Sequence, residues 1–361
     1  MIELNLWFSR AKLSSKLKII LLKEFKSIKN IFEYTKNFDN NRNYDIMNYK
    51  IVSELKKAWN EDIIYKTKEK ILKEDINVIN FNDSLYPYKL KYYEDSPAVL
   101  FYKGNIEPLN KSKSVAIVGS RKSTFYGEKV TKIVSKALSE NNISIISGMA
   151  KGIDYNAQLS SINSNGYTCA VLGSGIDVIY PRQNKELYKS ICEKGCVISE
   201  FYPGTPPFSY NFPMRNRIIS ALSDVVIVVE ASYKSGSLIT ATLALEQGKD
   251  VFSVPGSIFS RESIGTNKLI KEGAFVLTSL DDIFQYLGLE NHKIKDNKVN
   301  KNNNKIGLEK QIYNVLTDEP IHIDDIIRLI NIDIKRLYEV LFELQLREEV
   351  ICLAGNYYVK A

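Results

Sequence analysis

The sequence predicts an α/β protein: a doubly wound, mostly parallel sheet preceded by a small all-helical unit and followed by a winged helix. Three observations carry this reading. Between Lys111 and Glu290, short β-branched runs alternate with helical stretches, the pattern of parallel strands joined by right-handed crossovers. Residues 1–75 carry helical periodicity alone. Residues 306–361 carry three helical stretches and then a strand pair turned at Gly355-Asn356.

The helical unit comes first. Leu13, Leu17, Ile20, Leu21, Phe25, Ile28, Ile31 and Phe32 recur at three- and four-residue spacing, and the pattern returns over Tyr44–Tyr65 and Lys66–Glu74. No glycine precedes Gly104, so the glycine-containing turn of a DNA-binding helix-hairpin-helix is missing. A structural or partner-docking role is expected of this unit. Val78–Phe81 and Ser96–Gly104 read as two strands that lead into the central sheet.

Ser114–Val118 is a run of small and β-branched apolar residues, suited to a strand buried on both faces. Gly119 is expected to turn with positive φ, and Ser120, Ser123 and Thr124 are placed to cap the helix that follows. A strand, a glycine turn and a helix N-terminus present N–H groups and a dipole to an anion. Further strands are expected at Ile143–Ser147, Thr168–Leu172, Cys196–Ser199, Val225–Val229, Asp250–Val254 and Phe275–Leu277. Helices are expected at Gly127–Asn141, Gly152–Asn165, Asn184–Lys194, Arg215–Leu222, Ser237–Gln247 and Asn267–Glu272. The domains therefore read as 1–75, 76–290, a polar Asn- and Lys-rich linker at 291–305, and 306–361.

Ligands of such sheets bind outside the carboxyl ends of the strands. There the chain places Gly119-Ser120-Arg121, then Gly148 to Asp154 with Lys151 and Gly152, then Gly173-Ser174-Gly175 and Tyr180-Pro181-Arg182. Phe212-Pro213-Met214-Arg215-Asn216-Arg217, Ser235-Gly236-Ser237 and Pro255-Gly256-Ser257 follow at later strand ends. Glycines admit close backbone approach to phosphate, and arginines add forked contacts. A net charge of +7 suits a nucleic-acid or nucleotide partner.

Several chemistries are excluded. A dinucleotide dehydrogenase wants G-x-G-x-x-G after its first strand and an acid ending its second; this chain has Gly119-Ser120-Arg121 and Ser147-Gly148 there. The P-loop and the G-x-S-x-G elbow are absent. The two histidines, His292 and His322, lie beyond the sheet, so no nucleophile–His pair can form in it. Asp154, Asp177, Glu200 and Glu230 remain as strand-end carboxylates, more often caps or arginine partners than acid–base groups. Cys169, Cys192, Cys196 and Cys352 lack metal-site spacing, and reduced thiols are expected. No signal peptide or membrane span is apparent, so a soluble cytoplasmic protein is expected. The last unit carries 6 basic and 10 acidic residues, which favours protein contact, dimerisation included, over DNA reading by its third helix.

In these motifs, from about Val78 to Leu287, the chain resembles the DNA processing protein A family (DprA, also called Smf). The resemblance implies an extended Rossmann-like domain, a homodimer, and binding of single-stranded DNA. It also implies loading of the recombinase RecA past single-strand binding protein during natural transformation, with no enzymatic activity and no cofactor. It implies DNA contacts at Gly119, Ser120, Arg121, Lys151, Gly152, Gly173, Arg182, Phe212, Arg215, Asn216, Arg217, Ser235, Gly236 and Ser237. Arg121 and Arg182 are expected on phosphates. One of Arg215 and Arg217 is expected on DNA, and the other against Glu200 or Glu230. Phe208, Tyr210 and Phe212 are candidates to stack bases. Where the family commonly has a histidine, this chain has Ala157-Gln158. The rival expectation is a nucleotide phosphoribohydrolase-like enzyme of the lysine-decarboxylase-like kind. Its P-G-G-x-G-T-x-x-E motif is met here only by Lys234 to Thr240, with no glutamate at the end.

Overall fold

The computed structural model of the chain describes residues 1–38, 46–289, 307–347 and 349–360. The expected linker at 291–305 lies outside the described residues. The chain divides into two compact units, Met1–His292 and Lys293–Ala361.

The first unit begins with five helices: α1 (Ile2–Arg10), α2 (Ser15–Phe25), α3 (Ile28–Lys36), α4 (Tyr49–Ala58) and α5 (Glu61–Lys73). Ser14, Ser27, Asn48 and Asn60 cap the last four, each side chain accepting an N–H three residues on. Trp7 is buried at their centre and its indole N–H donates to Leu55 O at 2.8 Å. This apolar cluster is continuous with sheet residues such as Phe101, Ile146 and Val171, so the helices share one core with the sheet.

Two strands, β1 (Asn77–Asn80) and β2 (Val99–Gly104), precede the alternating series. That series runs β3 (Ser114–Val118), α6 (Phe125–Glu140), β4 (Ser144–Ser147), α7 (Ile153–Asn163), β5 (Thr168–Val171), α8 (Lys185–Lys194) and β6 (Cys196–Ser199). It continues with α9 (Asn211–Leu222), β7 (Val225–Val228), α10 (Gly236–Glu246), β8 (Val251–Ser253), α11 (Ile264–Lys271), β9 (Phe275–Val276) and α12 (Leu280–Tyr286). Among the described residues they form a nine-stranded sheet in the order β1-β2-β6-β5-β4-β3-β7-β8-β9. Only the β1–β2 and β2–β6 pairings are antiparallel. Strands β3 to β8 are buried along their whole length, which is why they read as unbroken apolar runs rather than alternations.

Two local expectations change. α9 starts at Asn211 rather than Arg215, because Pro213 falls in the first turn, where its missing N–H costs nothing. Gly119 does not adopt positive φ; it is required because a Cβ there would lie 2.6 Å from Ile153 Cγ1. The left-handed glycine of this region is Gly152, at φ +73°.

The second unit holds α13 (Leu308–Val315), β10 (Ile321–His322), α14 (Ile323–Ile330), α15 (Ile334–Leu346), β11 (Val350–Leu353) and β12 (Tyr357–Lys360). Its antiparallel sheet has the order β10-β12-β11, and Ile312, Ile326, Leu337 and Leu341 fill its core. This is a winged helix; β10, two residues long, is too short to announce itself by alternation. Among the described residues no helix is long and apolar enough to cross a membrane, no group of three or more metal-ligating side chains is found, and the four cysteines are free thiols.

Candidate functional site

From β3 the sheet grows through β4, β5 and β6 in one direction, and the chain then returns to lay β7 on the other flank of β3. Strand order reverses between β3 and β7, and a crevice opens outside their carboxyl ends, where doubly wound sheets hold ligands. A cleft of about 500 Å³ occupies it. Gly119, Ser120, Arg121 and Lys122 form one wall, and Ser232, Ser235, Gly236, Ser237 and Thr240 the opposite one. Phe212, Pro213, Arg215, Asn216 and Ile219 of α9 reach into it, and Arg261 and Glu262 close it beyond β8.

The loop after β3 is locked from both sides. Ser120 Oγ accepts the N–H of Lys122 at 3.0 Å, and Ser120 O accepts that of Ile153 at 3.2 Å. Gly152 packs so closely on this loop that a Cβ would overlap Ser120 O. The exposed Arg121 guanidinium lies 5.2 Å from the Phe212 ring centroid, and the Tyr180 ring stands 5.6 Å from Phe212 at an interplanar angle of 34°. Arg121, Lys122 and Arg261 are exposed and make no ion pair among the described residues. Across the cleft, Ser235 Oγ accepts the N–H of Ser237 at 3.4 Å at the start of α10, and the two hydroxyls lie 2.7 Å apart.

The helix N-terminus that the sequence offers to an anion, that of α6, is already filled. The buried Glu230 carboxylate accepts the Thr124 N–H at 2.9 Å and the Thr124 hydroxyl, and it abuts Gly127, where any Cβ would overlap it. Burial raises its pKa against these hydrogen bonds.

Arg215 and Arg217, expected one on DNA and the other against Glu200 or Glu230, sit in different surroundings. Arg215 is only 4% exposed, and its guanidinium donates to Gly148 O at 2.7 Å, to Val171 O and to Asn216 Oδ1 at 3.1 Å. Burial lowers its pKa to about 10, which leaves it cationic at neutral pH, and Asp154 opposes that shift. Asp154 is buried too. It accepts the N–H groups of Gly148 at 3.1 Å and Ala150 at 3.4 Å, and burial raises its pKa against the field of Arg215. The pair forms the cleft floor, with the long side chain of Arg215 spent on backbone carbonyls. Arg217 points away from the cleft and pairs with Glu200 beneath the N-terminal helices, with Ser15 and Asp95 beside it. Arg217 thus braces Glu200, and Arg215 is held by carbonyls at the cleft floor.

Of the other expected residues, Gly119, Ser120, Arg121, Phe212, Asn216, Ser235, Gly236 and Ser237 meet in the cleft. Lys151 and Arg182 lie on neighbouring loops outside its lining, and Gly152 acts from behind the Ser120 turn. Gly173 is buried under Phe212, where a Cβ would come within 2.7 Å of the ring. Phe208 and Tyr210 are exposed and stacked on each other, centroids 5.3 Å apart. Sequence reasoning missed Lys122, Thr240 and Arg261. Lys122 directly follows a motif residue, and Thr240 recurs one helical turn after Ser237, so both were within reach. Arg261 is brought in by a loop whose length hides it.

The DNA recombination-mediator protein A family model matches residues 77–288, and the DprA winged helix domain model matches residues 302–356. The DNA processing protein DprA of Bacillus subtilis is 45% identical over 214 residues, covering 59% of this chain and 72% of that protein. That of Streptococcus pneumoniae is 47% identical over 201 residues, covering 56% and 71%. The X-ray structure of the Streptococcus pneumoniae protein superposes with a TM-score of 0.65 at 37% identity, covering 77% of this chain and 95% of that one. A structure of DNA processing protein A from Helicobacter pylori, described for its single-stranded DNA binding mode, superposes with a TM-score of 0.54 at 31% identity, covering 59% and 95%. With a switch-point cleft walled by the family's own motifs, and the family match spanning most of the sheet unit, the chain belongs to the DNA recombination-mediator protein A (DprA/Smf) family.

Proposed function

We propose that this chain binds single-stranded DNA in the cleft between β3 and β7. The observation that carries the reading is Arg121: an exposed, unpaired guanidinium set over the Phe212 ring on a loop locked in place from behind. Lys122 and Arg261 flank it as further phosphate partners, and the Phe212 and Tyr180 rings offer a face to an unstacked base. A duplex keeps its bases stacked inside and has no use for such a face. The Helicobacter pylori relative, described for its single-stranded DNA binding mode, supports the same ligand class.

The finer reading is that the protein works as a cytoplasmic homodimer that hands its strand to RecA, past single-strand binding protein, in DNA uptake and recombination. It does so without chemistry or a cofactor of its own. Asp154 and Glu230 are each committed to structural donors, and residues 77–288, which hold the cleft carboxylate Glu262, contain no histidine.

Fluorescence anisotropy of a labelled oligo-dT at several salt concentrations tests the binding. Arg121→Glu is expected to weaken it at least tenfold and to lower the log–log salt slope by about 0.7 for each phosphate no longer neutralised. Wild-type affinity in that variant, or a preference for duplex over single strand, refutes the cleft. Light scattering of the full chain, with and without oligonucleotide, reads the dimer. RecA filament formation on strands coated with single-strand binding protein reads the hand-over, and it should fail with Arg121→Glu.

A further inference from the structure

The loop after β8 opens with the strand-end motif Pro255-Gly256-Ser257, which takes no part in the cleft lining. It runs on into Ile258 and Phe259, 79% and 93% exposed, and then into Arg261 and Glu262, which do line the cleft. Two neighbouring apolar side chains so far out in solvent are not left there by a loose segment, because the loop is fastened along its length. Asn267 of α11 holds its start, accepting the Gly256 N–H at 3.2 Å and donating to Gly256 O at 2.9 Å. Ser257 closes a turn beneath Phe259: its Oγ accepts the Phe259 N–H at 3.3 Å, and its carbonyl accepts that of Ser260 at 3.0 Å. Past Arg261, Glu262 O accepts the Ala231 N–H at 2.7 Å, and Ala231 O accepts that of Gly265 at 2.7 Å. These last two bonds tie the loop to the segment after β7. There Tyr233 is 64% exposed, with the Lys268 ammonium 5.7 Å from its ring centroid and 3.6 Å from Glu272. Among the described residues neither Phe259 nor Tyr233 stacks on another ring.

The far rim therefore repeats the chemistry of the near one. On the near rim the Arg121 guanidinium lies 5.2 Å from the Phe212 centroid. On the far rim Lys268 lies over Tyr233, and Arg261 follows Phe259 by two residues. An exposed ring beside an exposed cation matches one nucleotide unit, the base on the ring and the phosphate on the cation. Two such stations on opposite rims match a polymer long enough to cross between them. We propose that Phe259 is a second base-stacking residue, which holds a nucleobase of the same polynucleotide whose bases meet Phe212 and whose backbone crosses Arg121, Lys122 and Arg261. The cations around the ring and its continuity with the cleft through Arg261 favour a nucleobase over an apolar protein surface as its cover. This inference rests on the single-stranded DNA reading and extends it, since it sets where the bound polymer leaves the cleft.

The test is fluorescence anisotropy of labelled oligo-dT with the full chain, at several salt concentrations, for wild type, Phe259→Ala, Phe259→Leu and Phe259→Trp. Phe259→Ala is expected to weaken binding by at least about fivefold and to leave the log–log salt slope unchanged, because a ring neutralises no phosphate. Phe259→Leu keeps an apolar surface without a flat face and should lose as much. Phe259→Trp keeps the face and should bind at least as tightly as wild type. Circular dichroism establishes the fold of each variant, and light scattering without DNA should give all four proteins one mass. Wild-type affinity in Phe259→Ala or Phe259→Leu overturns the proposal, as does Phe259→Trp binding no better than Phe259→Ala. A changed salt slope in Phe259→Ala overturns it too, since the loss would then lie in displaced cations. A lower mass for Phe259→Ala than for wild type shows that a second copy of the chain covers the ring, and this also overturns it. Each of these results leaves the cleft reading standing so long as Arg121→Glu loses binding; a wild-type chain that does not bind oligo-dT refutes both.

Discussion

Replacing Arg215 with alanine is expected to cost the protein its stability before it costs it any ligand. The guanidinium is buried and supplies Gly148 O, Val171 O and Asn216 Oδ1. Each buried acceptor left without a donor costs about 1–3 kcal/mol. Asp154 also loses the field of the cation that offsets its burial, which adds to the cost. These terms overlap because they describe one side chain, so we expect a loss of about 4 kcal/mol. Against a typical total of about 5–15 kcal/mol this is severe, and it lowers the melting temperature by on the order of 10 °C. Arg215→Lys should recover only part of it, because a single ammonium cannot reach three acceptors held by a planar fork. Thermal denaturation followed by circular dichroism measures both variants at one protein concentration. If Arg215→Ala melts within about 1 °C of wild type while its salt slope falls by one phosphate's share, the side chain is a surface ligand and the floor assignment is wrong.

Two further outcomes follow from single residues. Gly152→Ala forces a Cβ onto Ser120 O at φ +73°, and it is expected to lose about 2–4 kcal/mol and to weaken oligonucleotide binding by shifting the Arg121 loop; an unchanged urea midpoint would contradict the locked turn. Lys18 donates to Ser9 O at 2.9 Å, and burial lowers its pKa from 10.5 to about 8, opposed by Glu200. Between pH 8 and 10.5 the unfolded chain binds more protons at this site than the folded one. Its burial penalty is therefore felt in full below pH 8 and fades as the pH rises through that window. Lys18→Met should flatten the stability–pH curve there by about 1–2 kcal/mol relative to wild type. Parallel curves for the two proteins, from urea titrations at about pH 7.5 and 10, would remove Lys18 from the account.

Much of the architecture was legible in the chain because it is written in short-range periodicity. Ser114–Val118 and Val225–Val229 announce themselves as apolar runs because both faces of a central parallel strand are covered. Gly119, Arg121, Ser235 and Ser237 could be set at strand ends for the same reason: a βα turn follows its strand directly. Motif membership told less about what each side chain touches. Arg215 and Arg217 look alike on paper, two residues apart on one helix. That spacing turns them about 200° from each other around α9, so one faces the carbonyls of Gly148 and Val171 and the other faces Glu200.

By itself, then, the sequence determined the α/β class, the winged helix, the strand ends on which a ligand site must stand, and the family. All of these rest on local pattern and residue type. Only the tertiary structure decided which charges are free. It joined the N-terminal helices to the sheet's core, sank Arg215 onto the carbonyls of Gly148 and Val171, turned Arg217 to Glu200 and closed the α6 N-terminus with Glu230. A buried charge must find its partner wherever the fold brings one within hydrogen-bond reach. Thr124 and Glu230 are 106 residues apart, and nothing in the local pattern of either foretells their meeting.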